Sequence, residues 1–97
     1  MTRWRLSPAA RSDLAEIWQY TAAQWSPAQA DHYTDGVRAA LYKACEGSPL
    51  ARQVGAIRDG YWRIKAGQHV CYFKRIGNGE IEVIRILHER MDAASNL

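Results

Sequence analysis

Two of the chain's three Ser-Pro dipeptides constrain its fold more than any other feature. In Ser7-Pro8 and Ser26-Pro27 a serine oxygen can accept a free backbone N–H, and a proline at the first helical position gives up nothing. Each opens a stripe of apolar residues at three- and four-residue steps. The first stripe, Ala10, Leu14, Ile17, Trp18, Thr21 and Trp25, predicts a helix over 8–25 with one apolar face. The second, Ala30, Tyr33, Val37, Leu41, Ala44 and Cys45, predicts a helix ending near Glu46. Gln29 completes a capping box at its start, and Gly47 is suited to a left-handed cap after its end. With almost nothing between them, the two helices must fold back as an antiparallel hairpin.

The rest of the chain changes period. Residues 3–6 alternate basic and apolar, which predicts a short strand with Trp4 and Leu6 inward. Residues 48–60 carry Pro49, Gly55 and Gly60 and read as a loop with a short extended piece over 54–58. Residues 61–66, 69–76 and 81–88 are rich in β-branched and aromatic residues, and Gly67-Gln68 and 77–80 separate them as tight turns. The last residues, 89–97, are polar and suit one loose turn of helix or coil. The expected fold is α+β: an N-terminal strand, a two-helix hairpin, then a three-stranded antiparallel meander with the helices on one face. A length of 97 residues fits a single domain over 1–97. The other face of the sheet is then less covered, and alternation is expected to gather Arg63, Lys65, Arg75 and Arg85 there as a concave basic surface.

The charge is mildly basic, +3, and ten arginines against three lysines favour contacts with acidic partners. Cys45 and Cys71 sit inside apolar patterns and read as buried free thiols. No stretch is apolar enough to span a bilayer and no secretory signal opens the chain, so a cytoplasmic location is expected. P-loop, dinucleotide, zincin and nucleophile-elbow motifs are all missing. His32 reads as a solvated helix residue. His69 and His88 read as strand-end residues, with too few partners for a metal, and no cofactor is expected. One constellation stands out: Arg63, Lys65 and His69 across one hairpin, with Arg85, His88 and Arg90 near the end. Such cations could stabilise a phosphodiester's developing charge in metal-independent cleavage, or simply be the solvated positions of half-buried strands.

The string Val83-Ile84-Arg85-Ile86-Leu87-His88-Glu89-Arg90-Met91-Asp92 closely resembles the ending of ParE toxins, the gyrase-directed branch of the RelE/ParE superfamily. Leu6-Ser7, Ala10, Asp13-Leu14 and Ile17-Trp18 agree in order, as do Gly60-Tyr61 with Arg63, and Gly67, His69 and Tyr72. The resemblance implies the toxin of a type II toxin–antitoxin pair that inhibits DNA gyrase by binding and has no catalytic site of its own. Its implied partner is a ParD-like antitoxin, with a ribbon-helix-helix half that binds DNA and an acidic half that folds onto the toxin. The two would form a hetero-oligomer, the toxin meeting DNA only through the antitoxin. The expected antitoxin-binding residues are Arg63, Lys65, Arg75, Arg85, Trp18 and Trp25. Trp25, at the tip of the helical hairpin, and His88, Arg90, Met91 and Asp92 are expected either to meet the target or to lock the last segment against the sheet. The alternative, a ribosome-dependent messenger-RNA endoribonuclease of the RelE type, is disfavoured at two points. Glu89 stands roughly where those nucleases carry a catalytic arginine, and 93–95 offer no tyrosine.

Overall fold

The computed structural model describes residues 3–97. Strand β1 (Arg3–Leu6) leads into helix α1 (Pro8–Gln24) and helix α2 (Pro27–Cys45). Strands β2 (Arg52–Gln53), β3 (Trp62–Ala66), β4 (His69–Gly77) and β5 (Glu80–His88) follow, and a single turn of helix, α3 (Ala93–Asn96), comes last. The five strands form one sheet in the order β1-β5-β4-β3-β2, antiparallel except for the β1–β5 pair. The expected α+β order and meander are present. Two edges are added to it: β1 lies parallel to β5, and the extended piece falls at Arg52–Gln53 rather than 54–58, where Val54 instead accepts turn hydrogen bonds from Ile57 and Arg58.

Both serines cap as their spacing requires: Ser7 Oγ accepts the Ala10 N–H and Ser26 Oγ accepts the Gln29 N–H, each at 3.0 Å. At the end of α2, Gly47 takes φ +81° while the Ser48 N–H reaches back to the Lys43 carbonyl, closing the helix in a left-handed turn. The helices press Ala10, Leu14, Ile17, Val37 and Leu41 onto one face of the sheet, against Ile64, Cys71, Phe73, Ile81, Val83 and Ile86.

Ile86 reaches that face by an irregularity. Between the pairs Phe73↔Val83 and Tyr72↔Arg85 the register shifts, so Ile84 has no partner across the ladder. Without this extra residue, strict alternation from Val83 would turn Ile86 away from the helices. The shift also lies where β5 loses its neighbour, because β1 pairs only as far as Leu6↔Val83. The start of α1 takes over the exposed edge. Ser7 N donates to the Val83 carbonyl at 2.9 Å and Ser7 Oγ to the Ile84 carbonyl at 2.7 Å. Further along the helix, Asp13 accepts the Ile86 N–H at 2.9 Å and takes the Arg85 guanidinium bidentately, with Nε at 2.8 Å and Nη2 at 2.9 Å.

The far face is covered more than expected. Val70, Tyr72 and Leu87 are buried there beneath Ala93 and Leu97 of the last segment and Val54 of the long loop. Arg58 Nη1 donates to the Leu97 carbonyl and Arg85 Nη1 to the Asn96 carbonyl, which ties the segment down.

Removing the Asp13 carboxylate strands a guanidinium and a strand N–H together. Asp13→Ala is expected to lower the unfolding free energy by about 2–3 kcal/mol, read as a reduced urea midpoint at unchanged slope. At the β3–β4 turn, Gly67 has φ +60°, and a Cβ there would lie 2.8 Å from the Tyr33 ring and hydroxyl. Gly67→Ala is therefore expected to cost more than about 1 kcal/mol in the same titration.

Candidate functional site

The helical hairpin does not close completely on the sheet. Between the second half of α1, the first turns of α2, the β3–β4 turn and the end of β5 lies an open cleft of about 690 Å³. One wall is Ile17, Tyr20, Thr21 and Trp25; the other is Ile86, Leu87, His88 and Met91, with Tyr33 and His69 at the base. Tyr20, Trp25 and Met91 are large and exposed, Trp25 at 78%. Trp25 is exposed because α1 stops at Gln24: as C-cap, Trp25 takes a non-helical conformation that carries it off the buried stripe.

At the base, Tyr33 on α2 meets His69 at the start of β4. Its hydroxyl lies 2.6 Å from His69 Nδ1 and accepts the Gln68 N–H at 3.0 Å. The His69 ring stands edge-on to that of His88, its cross-strand partner, with centroids 5.4 Å apart. Burial, then the neighbouring His88, lowers the His69 pKa below the usual imidazole value, while Asp13 and Glu89 oppose the shift. Burial raises that of the Tyr33 hydroxyl. A neutral His69 whose Nδ1 accepts a hydrogen bond from the neutral Tyr33 hydroxyl fits both shifts. Among the described residues no three His, Cys, Asp or Glu groups gather to hold a metal.

The expected basic surface is divided. Arg63 and Lys65 do point away from the helices, by register with Tyr72 and Val70. Arg75, two residues beyond Phe73, lies on the helix face instead. Its guanidinium stacks 4.3 Å from the Trp62 ring centroid and donates to the Ala44 carbonyl at the end of α2 at 3.0 Å. Arg85 is turned to Asp13, because the bulge leaves it beside a carboxylate on the unpaired edge. Lys65 pairs with Glu89 at 2.9 Å, which holds the Glu89 carboxyl below its usual pKa. Trp18 and Trp25 also separate: Trp18 donates its indole N–H to Asp31 at 2.8 Å and lines a different groove, bounded by β1.

The hairpin tip and the last segment, two separate stretches of sequence, meet at one mouth, where Trp25, His88 and Met91 all line the cleft. Asp92 instead caps α3, accepting from Ala94 N and Ser95 Oγ, and the Arg90 N–H donates to His88 Nδ1. In the sequence Asp13 stands out only within the family resemblance, and no pairing is legible for it. Tyr20 lies off the apolar stripe, and nothing local to Asp13 announces its partners more than seventy residues away.

The family model described as "ParE toxin of type II toxin-antitoxin system, parDE" matches residues 4–93. This chain belongs to the ParE toxin family. Toxin ParE1 of Mycobacterium tuberculosis (strain ATCC 25618 / H37Rv) is 38% identical over 96 residues, spanning 99% of this chain and 98% of that protein. Toxin ParE1 of Caulobacter vibrioides is 34% identical over 97 residues, 100% and 99% of the two chains. A solved structure titled "Chromosomal ParDE TA system from P. aeruginosa" shares the fold with a TM-score of 0.73 at 16% identity, over 91% of this chain and 96% of that one. The ParE-like ending noted in the sequence thus coincides with the bulge, the Asp13–Arg85 pair and the wall of the cleft. No helix among the described residues of this ParE-family chain is long and apolar enough to cross a membrane.

Because the His69 pKa is lowered in the folded state, its contribution to stability is complete above the unfolded value near 6.5 and is lost as pH falls through the lower folded value. Urea midpoints measured from pH 7.5 down to pH 5 should decline, and His69→Gln should flatten the decline. The buried Cys71 thiol is pushed up to about 12 and the Cys45 thiol is also raised by burial. Both should resist a disulfide reagent at pH 8 in the native protein and react promptly in denaturant.

Proposed function

We propose that this ParE-family toxin inhibits DNA gyrase by binding, without chemistry of its own, and is silenced by a ParD-like antitoxin whose flexible half lies in the cleft between α1 and the end of β5. The observation that carries the non-catalytic reading is the fate of the cations. A metal-independent nuclease needs several positive groups converging on one phosphate, with a proton acceptor and donor beside them. Here Arg85 is engaged with Asp13, Lys65 with Glu89 and Arg75 with a helix carbonyl. Arg63 and Lys65 face away from the helices, while the Cα register of His69 with Ala66 sets it on the helix side. A phosphate placed near His69 would meet neither of them.

The cleft suits an amphipathic segment. Tyr20, Trp25 and Met91 offer exposed anchors, with Ile17 and Ile86 as floor. Arg63, which makes no ion pair among the described residues, remains on the far face for an acidic stretch that continues around the molecule. Antitoxin and toxin would then form a hetero-oligomer.

Purified toxin, freed of antitoxin, is expected to inhibit supercoiling by gyrase or trap its cleavage complexes while leaving messenger RNA on translating ribosomes intact. Cleaved transcripts with unaffected supercoiling would reverse the assignment. Tyr20→Ala and Trp25→Ala are each expected to weaken antitoxin binding roughly tenfold or more, measured by calorimetric titration, with little change in stability because both side chains are exposed.

A further inference from the structure

On the opposite flank of α1 lies a second groove of about 550 Å³, between β1 and the helices, lined by Trp4, Arg5, Arg11, Leu14, Trp18 and Arg38 among others. Its composition differs from that of the cleft. The cleft wall includes Asp13 and Glu16, whereas this groove has three arginines and no carboxylate in its lining. Arg38 is shared with Asp35 at 3.2 Å, but the guanidinium groups of Arg5 and Arg11 make no hydrogen bond or ion pair among the described residues. Both are exposed. The two indoles are held in place rather than free: Trp4 stands edge-on to Tyr42, with centroids 5.9 Å apart, and Trp18 is fixed by its bond to Asp31.

From this juxtaposition we infer that the β1–α1 groove binds single-stranded nucleic acid directly, bases against the indoles of Trp4 and Trp18 and phosphates on Arg5 and Arg11. Uncompensated guanidinium groups beside fixed aromatic faces are what an unpaired strand requires. The cations neutralise the backbone, and stacking is available to any base. An acidic peptide would use the arginines but gain little from two indoles, and a bare polyanion would gain nothing from them. The inference departs from the expectation that such a toxin meets DNA only through its antitoxin, and it does not rest on the gyrase assignment.

The test is fluorescence anisotropy of a labelled ten-nucleotide oligothymidylate titrated with the purified chain at several salt concentrations. Intrinsic tryptophan fluorescence is followed in parallel, with heparin and a ten-residue poly-aspartate peptide as competitors. Binding is expected with tryptophan quenching, and the slope of log K against log salt concentration should become shallower by about 0.7 per arginine removed. Arg11→Glu, exposed and unpaired in the fold, should weaken binding at least tenfold with an unchanged circular dichroism spectrum, and Trp18→Phe should reduce the quenching. Absence of binding, binding without quenching that heparin reproduces, or tighter binding of the acidic peptide would each overturn it.

Discussion

A single carboxylate stands where the sheet would otherwise fail. β5 is central to the fold, yet its outer neighbour β1 covers only Glu80–Val83, so the second half of β5 faces the helices with an unpaired edge. Buried backbone groups left without partners are costly, and Asp13 supplies the missing acceptor for Ile86 while neutralising Arg85 beside it. Arg85 in turn holds the Asn96 carbonyl, so the same pair helps fix the last segment over the far face. Helix, strand edge and C-terminal segment therefore meet at one ion pair, and the cleft exists because α1 is held at this distance from β5 by Asp13 rather than by another strand.

The same economy governs the rest of the charge. Arginines close structural gaps: Arg75 caps α2 from the sheet, Arg58 holds Leu97, and Arg85 holds Asp13 and Asn96. A guanidinium with its donors already satisfied contributes little to a passing phosphate. What the molecule presents outward is instead shape and apolar surface at the cleft, and a pair of unengaged arginines on the other flank.

The elements that were legible in the sequence are those specified locally. The Ser-Pro starts, the helical stripes, the Gly67-Gln68 turn and the three meander strands depend on neighbours within a few residues, and all lie where their patterns put them. The basic surface misled for a physical reason. Arg75 has odd numbering like Phe73, which places it with the core residues, while Arg85, set opposite Tyr72 by the shift at Ile84, is taken up by Asp13 across an unpaired edge that periodicity does not report. The parallel β1–β5 contact and the Asp13 bridge span most of the chain, and period carries no information about such separations. Trp25 carries two signals, the spacing of a core residue and a place at the hairpin tip, and it is exposed because it falls one residue past the end of its helix.

Helix α1 borders both grooves with different flanks, Ile17 and Tyr20 on one and Leu14 and Trp18 on the other. Occupants of the two grooves therefore need not compete for the same side chains, and any influence of one on the other must pass through displacement of α1 itself. That displacement is resisted at both ends, by Ser7 and Asp13 on β5 and by the Trp18–Asp31 bond to α2. A ligand that shifts α1 has to break charge-assisted bonds to do so, whereas one that fits the resting groove does not. Coupling between the grooves is accordingly weak unless an occupant draws on Asp13 or Asp31, since a ligand with equal affinity for both positions of the helix shifts nothing.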